Sequence, residues 1–115
     1  MPITILHNPR CSKSRQTLAL LEEQDITPVV RAYLNDPLTS EELETLISQL
    51  GLNAASLVRN KEDEFKEAGL DLKSSSDADF IAAMVKYPRL MERPVVINGE
   101  KARIGRPPEQ VLEII

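Results

Sequence analysis

A single cysteine, Cys11, and a single histidine, His7, stand among 115 residues. With no second thiol the chain can build neither an internal disulfide framework nor a cysteine-rich metal centre, and one histidine gives no expectation of a zinc site. Long apolar runs are missing too. The longest, Phe80 to Val85, is far too short to cross a bilayer, so no membrane partner is expected. There is no excess of positive charge: the formal net charge is −4, which argues against nucleic acid as a partner. The opening Met1-Pro2-Ile3-Thr4-Ile5-Leu6 lacks the basic start and cleavage signature of a leader, and the expected location is the cytosol. No repeat, low-complexity tract or linker interrupts the chain. At 42% hydrophobic and 28% charged residues the composition is that of an ordinary globular protein, expected as one domain over residues 1–115 and as a monomer.

The charge that is present is unevenly spread. Residues 1–15 carry Arg10, Lys13 and Arg15 with no acid, and residues 89–106 carry five basic residues against Glu92 and Glu100. Each of these segments is locally +3, so the remainder must be strongly acidic. A fold that joins the two basic segments gives an acidic protein a basic pocket suited to a small anion.

The pattern along the chain is β-α-β, a helical stretch, then β-β-α. Residues 3–6 read as a strand. Asn8-Pro9 marks a turn, and a helix follows to about Gln24 with Leu18 and Leu21 on one face. Val29-Val30 reads as a second strand, ended by Asn35-Asp36-Pro37. Thr39-Ser40-Glu41-Glu42 fits a capping box before Leu43, Leu46, Ile47 and Leu50, with Gly51 at the C-cap. Asn53 caps a short helix through Val58. Ser76-Asp77-Ala78-Asp79 opens another helix, carrying Phe80, Ile81, Met84 and Val85 and stopped by Pro88. Pro94 to Ile97 and Ala102 to Ile104 read as a hairpin, with Asn98-Gly99 as the central pair of a type I′ turn. Pro107-Pro108 starts a last helix whose buried side is expected at Val111, Leu112 and Ile115. Without its central helices this order is βαβ plus ββα, a thioredoxin-like α/β fold with a mixed four-stranded sheet and a helical insertion at about 39–91.

Cys11 follows a strand and opens a helix. The unpaired N–H groups of a first helical turn and the helix dipole both favour negative charge on a sulfur placed there, and the basic neighbours add to the effect. Ser12 and Ser14 can supply hydroxyl donors. A polar, basic, proline-turned setting is not that of a buried structural cysteine, so Cys11 reads as a nucleophile. The spacing is Cys-x-x-Ser, which closes a dithiol route: any oxidised state of Cys11 must be released by an outside thiol, and glutathione is the cytosolic choice. A Cys-x5-Arg phosphatase loop would need arginine where Thr17 stands. His7, four residues before the cysteine, is either an imidazolium beside the thiolate or a neutral group that orients the loop. Arg93 precedes Pro94, at the position where a thioredoxin-like fold places a cis-proline against its active cysteine. Arg106 follows Gly105 at the mouth of the last helix, and Arg59 closes the apolar Leu57-Val58. Guanidinium forks match oxyanions, and arginines gathered at one thiolate would be an anion site.

The segments His7-Asn8-Pro9-Arg10-Cys11-Ser12-Lys13-Ser14-Arg15, Glu92-Arg93-Pro94-Val95-Val96-Ile97 and Ala102-Arg103-Ile104-Gly105-Arg106-Pro107-Pro108-Glu109 resemble the glutaredoxin-coupled arsenate reductase family, in order and over residues 3–115. Ser12-Lys13, in place of the Gly-Thr of plasmid-borne members, is similar to a chromosomal subgroup. The resemblance implies that Cys11 forms a thiol–arsenate adduct and that His7 helps keep it ionised. It further implies that Arg59, Arg93 and Arg106, with Ser14, bind arsenate and the arsenite product. No bound cofactor is implied; glutathione is a co-substrate and glutaredoxin a partner. Two alternatives remain at this point: a redox-responsive regulatory or binding module, and a monothiol glutathione-dependent disulfide reductase. Related regulators of RNA polymerase carry a Cys-x-x-Cys switch that this chain lacks.

Overall fold

The computed structural model describes residues 3–59, 61–92 and 94–115. In chain order these form β1 (Ile3–Leu6), α1 (Ser12–Glu23), β2 (Val29–Arg31), α2 (Ser40–Leu50), α3 (Ala54–Leu57), α4 (Asp63–Glu67), α5 (Asp77–Lys86), a 3₁₀ turn (Pro88–Leu90), β3 (Val95–Asn98), β4 (Lys101–Ile104) and a closing 3₁₀ helix (Pro108–Ile114). No helix among the described residues is long and apolar enough to cross a membrane.

The chain divides into two compact units: one takes in the chain up to Asp36 and again from position 93 to Ile115, and the other spans Pro37–Glu92. The first unit is built on a mixed sheet of strand order β2-β1-β3-β4. β1 runs parallel to β2 and antiparallel to β3, and β3 runs antiparallel to β4. This is the thioredoxin-like α/β arrangement of βαβ followed by ββα. Its core gathers Ile5 from β1, Leu21 from α1, Val96 from β3, and Val111 and Ile114 from the closing helix. The β3–β4 turn departs from expectation. Asn98 is the last paired strand residue, opposite Lys101, so the central residues are Gly99 and Glu100. Gly99 has φ +63, and among the described non-glycine residues only Asp25 has positive φ. One positive φ, carried by a glycine at the first central position, is the sign pattern of a type II′ turn rather than I′.

The closing helix also differs. Pro108, Val111 and Ile114 are buried, while Leu112 and Ile115 are 37% and 39% exposed. The cause is period. A 3₁₀ helix repeats every three residues, so positions 108, 111 and 114 stack on one side. In α1 the buried residues are Ser14, Thr17 and Leu21, at helical spacing, with Leu18 only partly buried.

The second unit holds the helices inserted between β2 and β3. α5 packs against α2 and α3, and its buried side carries Phe80, Ile81, Ala83 and Met84, whereas Val85 is 38% exposed. Both expected capping boxes form. Glu42 N–H donates to Thr39 Oγ1 at 3.1 Å while Thr39 N–H donates to Glu42 Oε1 at 3.0 Å. Ser76 and Asp79 repeat the exchange at α5, and Gly51 ends α2 with φ +69. Reciprocal caps satisfy donors that the helix itself leaves unpaired. Thr39→Ala is therefore expected to lower stability by about 1 kcal/mol in urea unfolding. An unchanged midpoint and slope would mean that the cap contributes nothing to α2.

Candidate active site

The segment between β1 and α1 is folded by Asn8. Its carbonyl accepts from Cys11 N–H at 3.0 Å, its side-chain Oδ1 accepts from Arg10 N–H at 3.0 Å, and its own N–H donates to Ser14 Oγ at 3.0 Å. His7 N–H donates to Arg31 O at 2.9 Å, which ties the start of the loop to the end of β2. Across the loop, Arg15 Nη1 donates to Pro9 O at 2.8 Å. Cys11 is thereby set at the N-cap of α1 in an extended conformation, φ −93 and ψ 123, half-buried, with no acidic residue in the first turn. The Cys11 side chain makes no cap hydrogen bond, but the helix N-terminus carries partial positive charge beside it and no acid in that turn cancels it.

His7 and Ser14 are both buried, and His7 Nδ1 lies 2.6 Å from Ser14 Oγ. Ser14 Oγ also accepts from Asn8 N–H, so the serine hydroxyl links the histidine ring to the loop backbone. Burial lowers the His7 pKa below its ordinary 6.5, and the Arg15 charge lowers it further. Near neutral pH the ring is therefore uncharged. In that form it holds the loop through Ser14.

The opposite wall comes from the end of β4. Gly105 N–H donates to Pro94 O at 2.8 Å. A Cβ on Gly105 would stand 2.6 Å from Thr17 Oγ1 and 2.7 Å from Pro94 Cγ, so only glycine permits this approach of β4 to α1. Thr17 is itself fixed, buried with Oγ1 donating to Lys13 O at 2.8 Å. The next residue, Arg106, donates from Nη2 to Cys11 Sγ at 3.7 Å across 95 positions of sequence.

Of the site residues read from the sequence, His7, Cys11, Ser14 and Arg106 come together in this unit. Arg59 belongs to the other unit. There its N–H donates to Leu90 O at 2.6 Å, its Nε lies 3.4 Å from Glu62 Oε1, and its Nη1 is buried with no hydrogen-bond partner among the described residues. Arg93 lies outside the described residues, as does the Arg93–Pro94 bond for which a cis peptide was expected. A cis peptide is present at Arg106–Pro107.

A family model, the ArsC family, matches residues 6–114. The chain belongs to the ArsC family. It is 45% identical over 116 residues to a protein named arsenate reductase from Haemophilus influenzae, covering 100% of both chains. It is 54% identical to an uncharacterised protein, YfgD, of Escherichia coli (strain K12), covering 98% of this chain and 96% of that one. Among solved structures, an arsenate reductase from Vibrio cholerae superposes with TM-score 0.95 at 52% identity, over 100% of this chain and 98% of the other.

Three contributors to this ArsC-family site have no chemical signature in sequence. Asn8 is visible only as a turn residue before proline, yet it fastens the loop on three sides. Thr17 and Gly105 make the close approach that carries Arg106. Gly105→Ala is expected to push β4 away from α1, lowering stability and the fraction of Cys11 present as thiolate at pH 7, read by ultraviolet absorbance of the folded protein. A Gly105→Ala protein with wild-type thiolate absorbance would show that Arg106 does not need this approach.

The neutral state of His7 sets a second expectation. Its folded pKa lies below the unfolded value near 6.5, so the unfolded chain binds the proton first. The associated stability is fully present above about pH 6.5 and is lost as pH falls toward the lowered folded pKa. Urea unfolding at several pH values should show a decline over that window, no steeper than about 1.4 kcal/mol per unit. His7→Asn should remove this component of the decline. Parallel wild-type and variant curves would refute a buried neutral histidine.

Proposed function

We propose that the protein reduces arsenate to arsenite on Cys11, with glutathione as co-substrate and glutaredoxin as the partner that regenerates the thiol. The observation that carries this reading is the Arg106 guanidinium, 3.7 Å from the single sulfur at the N-terminus of α1. Membership of the ArsC family and the arsenate reductase names of its relatives support it.

In this reading the Cys11 thiolate attacks arsenic, an As–S bond forms, and one arsenate oxygen leaves as water after taking up protons. The Arg106 guanidinium and the first-turn N–H groups of α1 carry the negative charge that converges there. A glutathione thiol then attacks Cys11 Sγ. The electron pair of the As–S bond leaves with arsenic, which falls from the +5 to the +3 state and departs as arsenite, taking the thiol proton. What remains is a Cys11–glutathione disulfide. A glutaredoxin thiol removes the glutathione by a second exchange and restores Cys11. The chain holds one cysteine, so that last step must come from outside. The cytosol, which keeps glutathione reduced, is the compartment this cycle requires.

His7 and Ser14 serve as the support of the loop. Ser14 is fully buried and bonded to His7 and Asn8, so in this reading it positions Cys11 rather than touching the anion. By resemblance alone, Arg59 and Arg93 join the proposal as oxyanion ligands.

The test is arsenite formation with glutathione and glutaredoxin both supplied. Wild type should turn over, and Cys11→Ser should not. Arg106→Ala should raise the KM for arsenate by roughly fivefold, a modest factor because Arg106 is exposed and solvent screens its charge. Absence of wild-type arsenite formation would remove arsenate as substrate, and undiminished formation without glutathione would remove the thiol cycle.

A further inference from the structure

The two arginines that neighbour Cys11 in sequence, Arg10 and Arg15, are arranged unlike four arginines farther along the chain. Arg31, Arg59, Arg89 and Arg103 each hold a carboxylate at 3.2–3.6 Å, on Asp36, Glu62, Glu62 with Glu64, and Glu113. Arg10, Lys13 and Arg15 hold none among the described residues. Among the described residues, the one side-chain hydrogen bond of these three is from Arg15 Nη1 to Pro9 O, which holds that guanidinium across the cysteine loop. Arg10 and Arg15 are exposed and Lys13 is partly exposed. Their counter-charge is missing in sequence as well: the first acid of the chain is Glu22, although the protein as a whole carries −4. The segment that carries Cys11 is therefore basic within an acidic protein.

Solvent-accessible cations next to Cys11 in the chain act on whatever approaches from solvent. The arsenate step consumes one anion, which Arg106 meets directly. The next reactant is a thiol, and it must reach Cys11 Sγ from the exposed side. We propose that Arg10 and Lys13, which flank Cys11 in sequence, recognise the carboxylates of a small anionic thiol, so that this enzyme selects its reductant by charge. The inference rests on the reading that Cys11 is the reacting thiol, and it deepens that reading by naming the class of reductant and the residues that choose it. Arg15, held by its Pro9 bond, contributes field rather than a mobile contact. Because these cations are solvated, the effect is a rate preference sensitive to salt, not a tight binding site.

The test isolates thiol attack from arsenate chemistry. Cys11 is first converted to a mixed disulfide with 2-thiopyridine, a neutral leaving group. An incoming thiolate then attacks Cys11 Sγ, the new S–S bond forms, and pyridine-thione leaves with the electron pair of the old bond and is read by its absorbance. Glutathione is compared with its diethyl ester, the same skeleton with both carboxylates masked. Each rate is normalised to the same thiol reacting with a small pyridyl disulfide. At low ionic strength wild type should favour glutathione over the ester by roughly three- to tenfold. Arg10→Ala/Lys13→Ala should abolish the preference through the glutathione rate, leaving the ester rate within about twofold, and high salt should do the same to wild type.

A wild-type protein that treats the two thiols alike overturns the proposal. So does a double variant that keeps the preference, since the selecting charge would then lie elsewhere. Neither result touches arsenate reduction, whose own failure would appear only in the arsenite assay.

Discussion

No methyl group fits between Gly105 and the pair formed by Thr17 and Pro94. That exclusion lets the end of β4 lie against α1, with Gly105 N–H bonded to Pro94 O at 2.8 Å. The meeting of Arg106 with Cys11 follows from this approach. The residue after Gly105 is Arg106, and the helix it meets is the one whose N-cap is Cys11. The contact between guanidinium and sulfur at 3.7 Å is thus set by backbone packing, with the long arginine side chain closing only the last gap. A charge held by a packed backbone keeps its position when substrate arrives, and a preorganised charge is the kind that stabilises an anionic transition state.

Much of the fold is legible in the sequence because several local signals agree. The two capping boxes, Gly51 and the apolar spacing of α2 each have a mechanism that operates within a few residues, and each is present. What fails to show in sequence is what depends on partners far along the chain. The closing helix takes the 3₁₀ period, so Ile114 goes inward in place of Leu112 and Ile115. The buried side of α1 includes two hydroxyl residues, which no hydrophobic pattern can reveal. Ser14 and Thr17 tolerate burial because their hydroxyls find His7, Asn8 and Lys13 O. α4 buries no residue fully and so leaves no apolar period to detect.

The candidate site divides in the same way. Cys11 is legible, since a strand, a turn and a helix start around one cysteine already define its setting. Arg106 is legible through the Gly-Arg-Pro-Pro string at the mouth of the closing helix. The state of His7 is not. The same histidine, four residues before the same cysteine, would be an imidazolium if exposed and is neutral here because burial and Arg15 both oppose the charge. Arg59 is readable as a residue type only. Its ion pair with Glu62 and its buried Nη1 depend on how the second unit folds around it.

A neutral His7 changes which groups can answer for the reactivity of the sulfur. Positive charge near Cys11 that does not titrate near neutral pH comes from the N-terminus of α1 and the Arg106 guanidinium. Lowering the pH toward the ordinary histidine range therefore adds no cation to the site until the buried ring is forced to protonate, and that event works against the loop that holds Cys11. The arrangement separates two tasks that one imidazolium would have combined. Permanent cations govern the sulfur and the anions that approach it, while His7, with Ser14 and Asn8, governs where the sulfur stands. In the proposed cycle, a chain with a single thiol has no internal means of regenerating it. Control in that cycle then rests on what the exposed side of Cys11 admits, and the proposed role of Arg10 and Lys13 is one way to discriminate there.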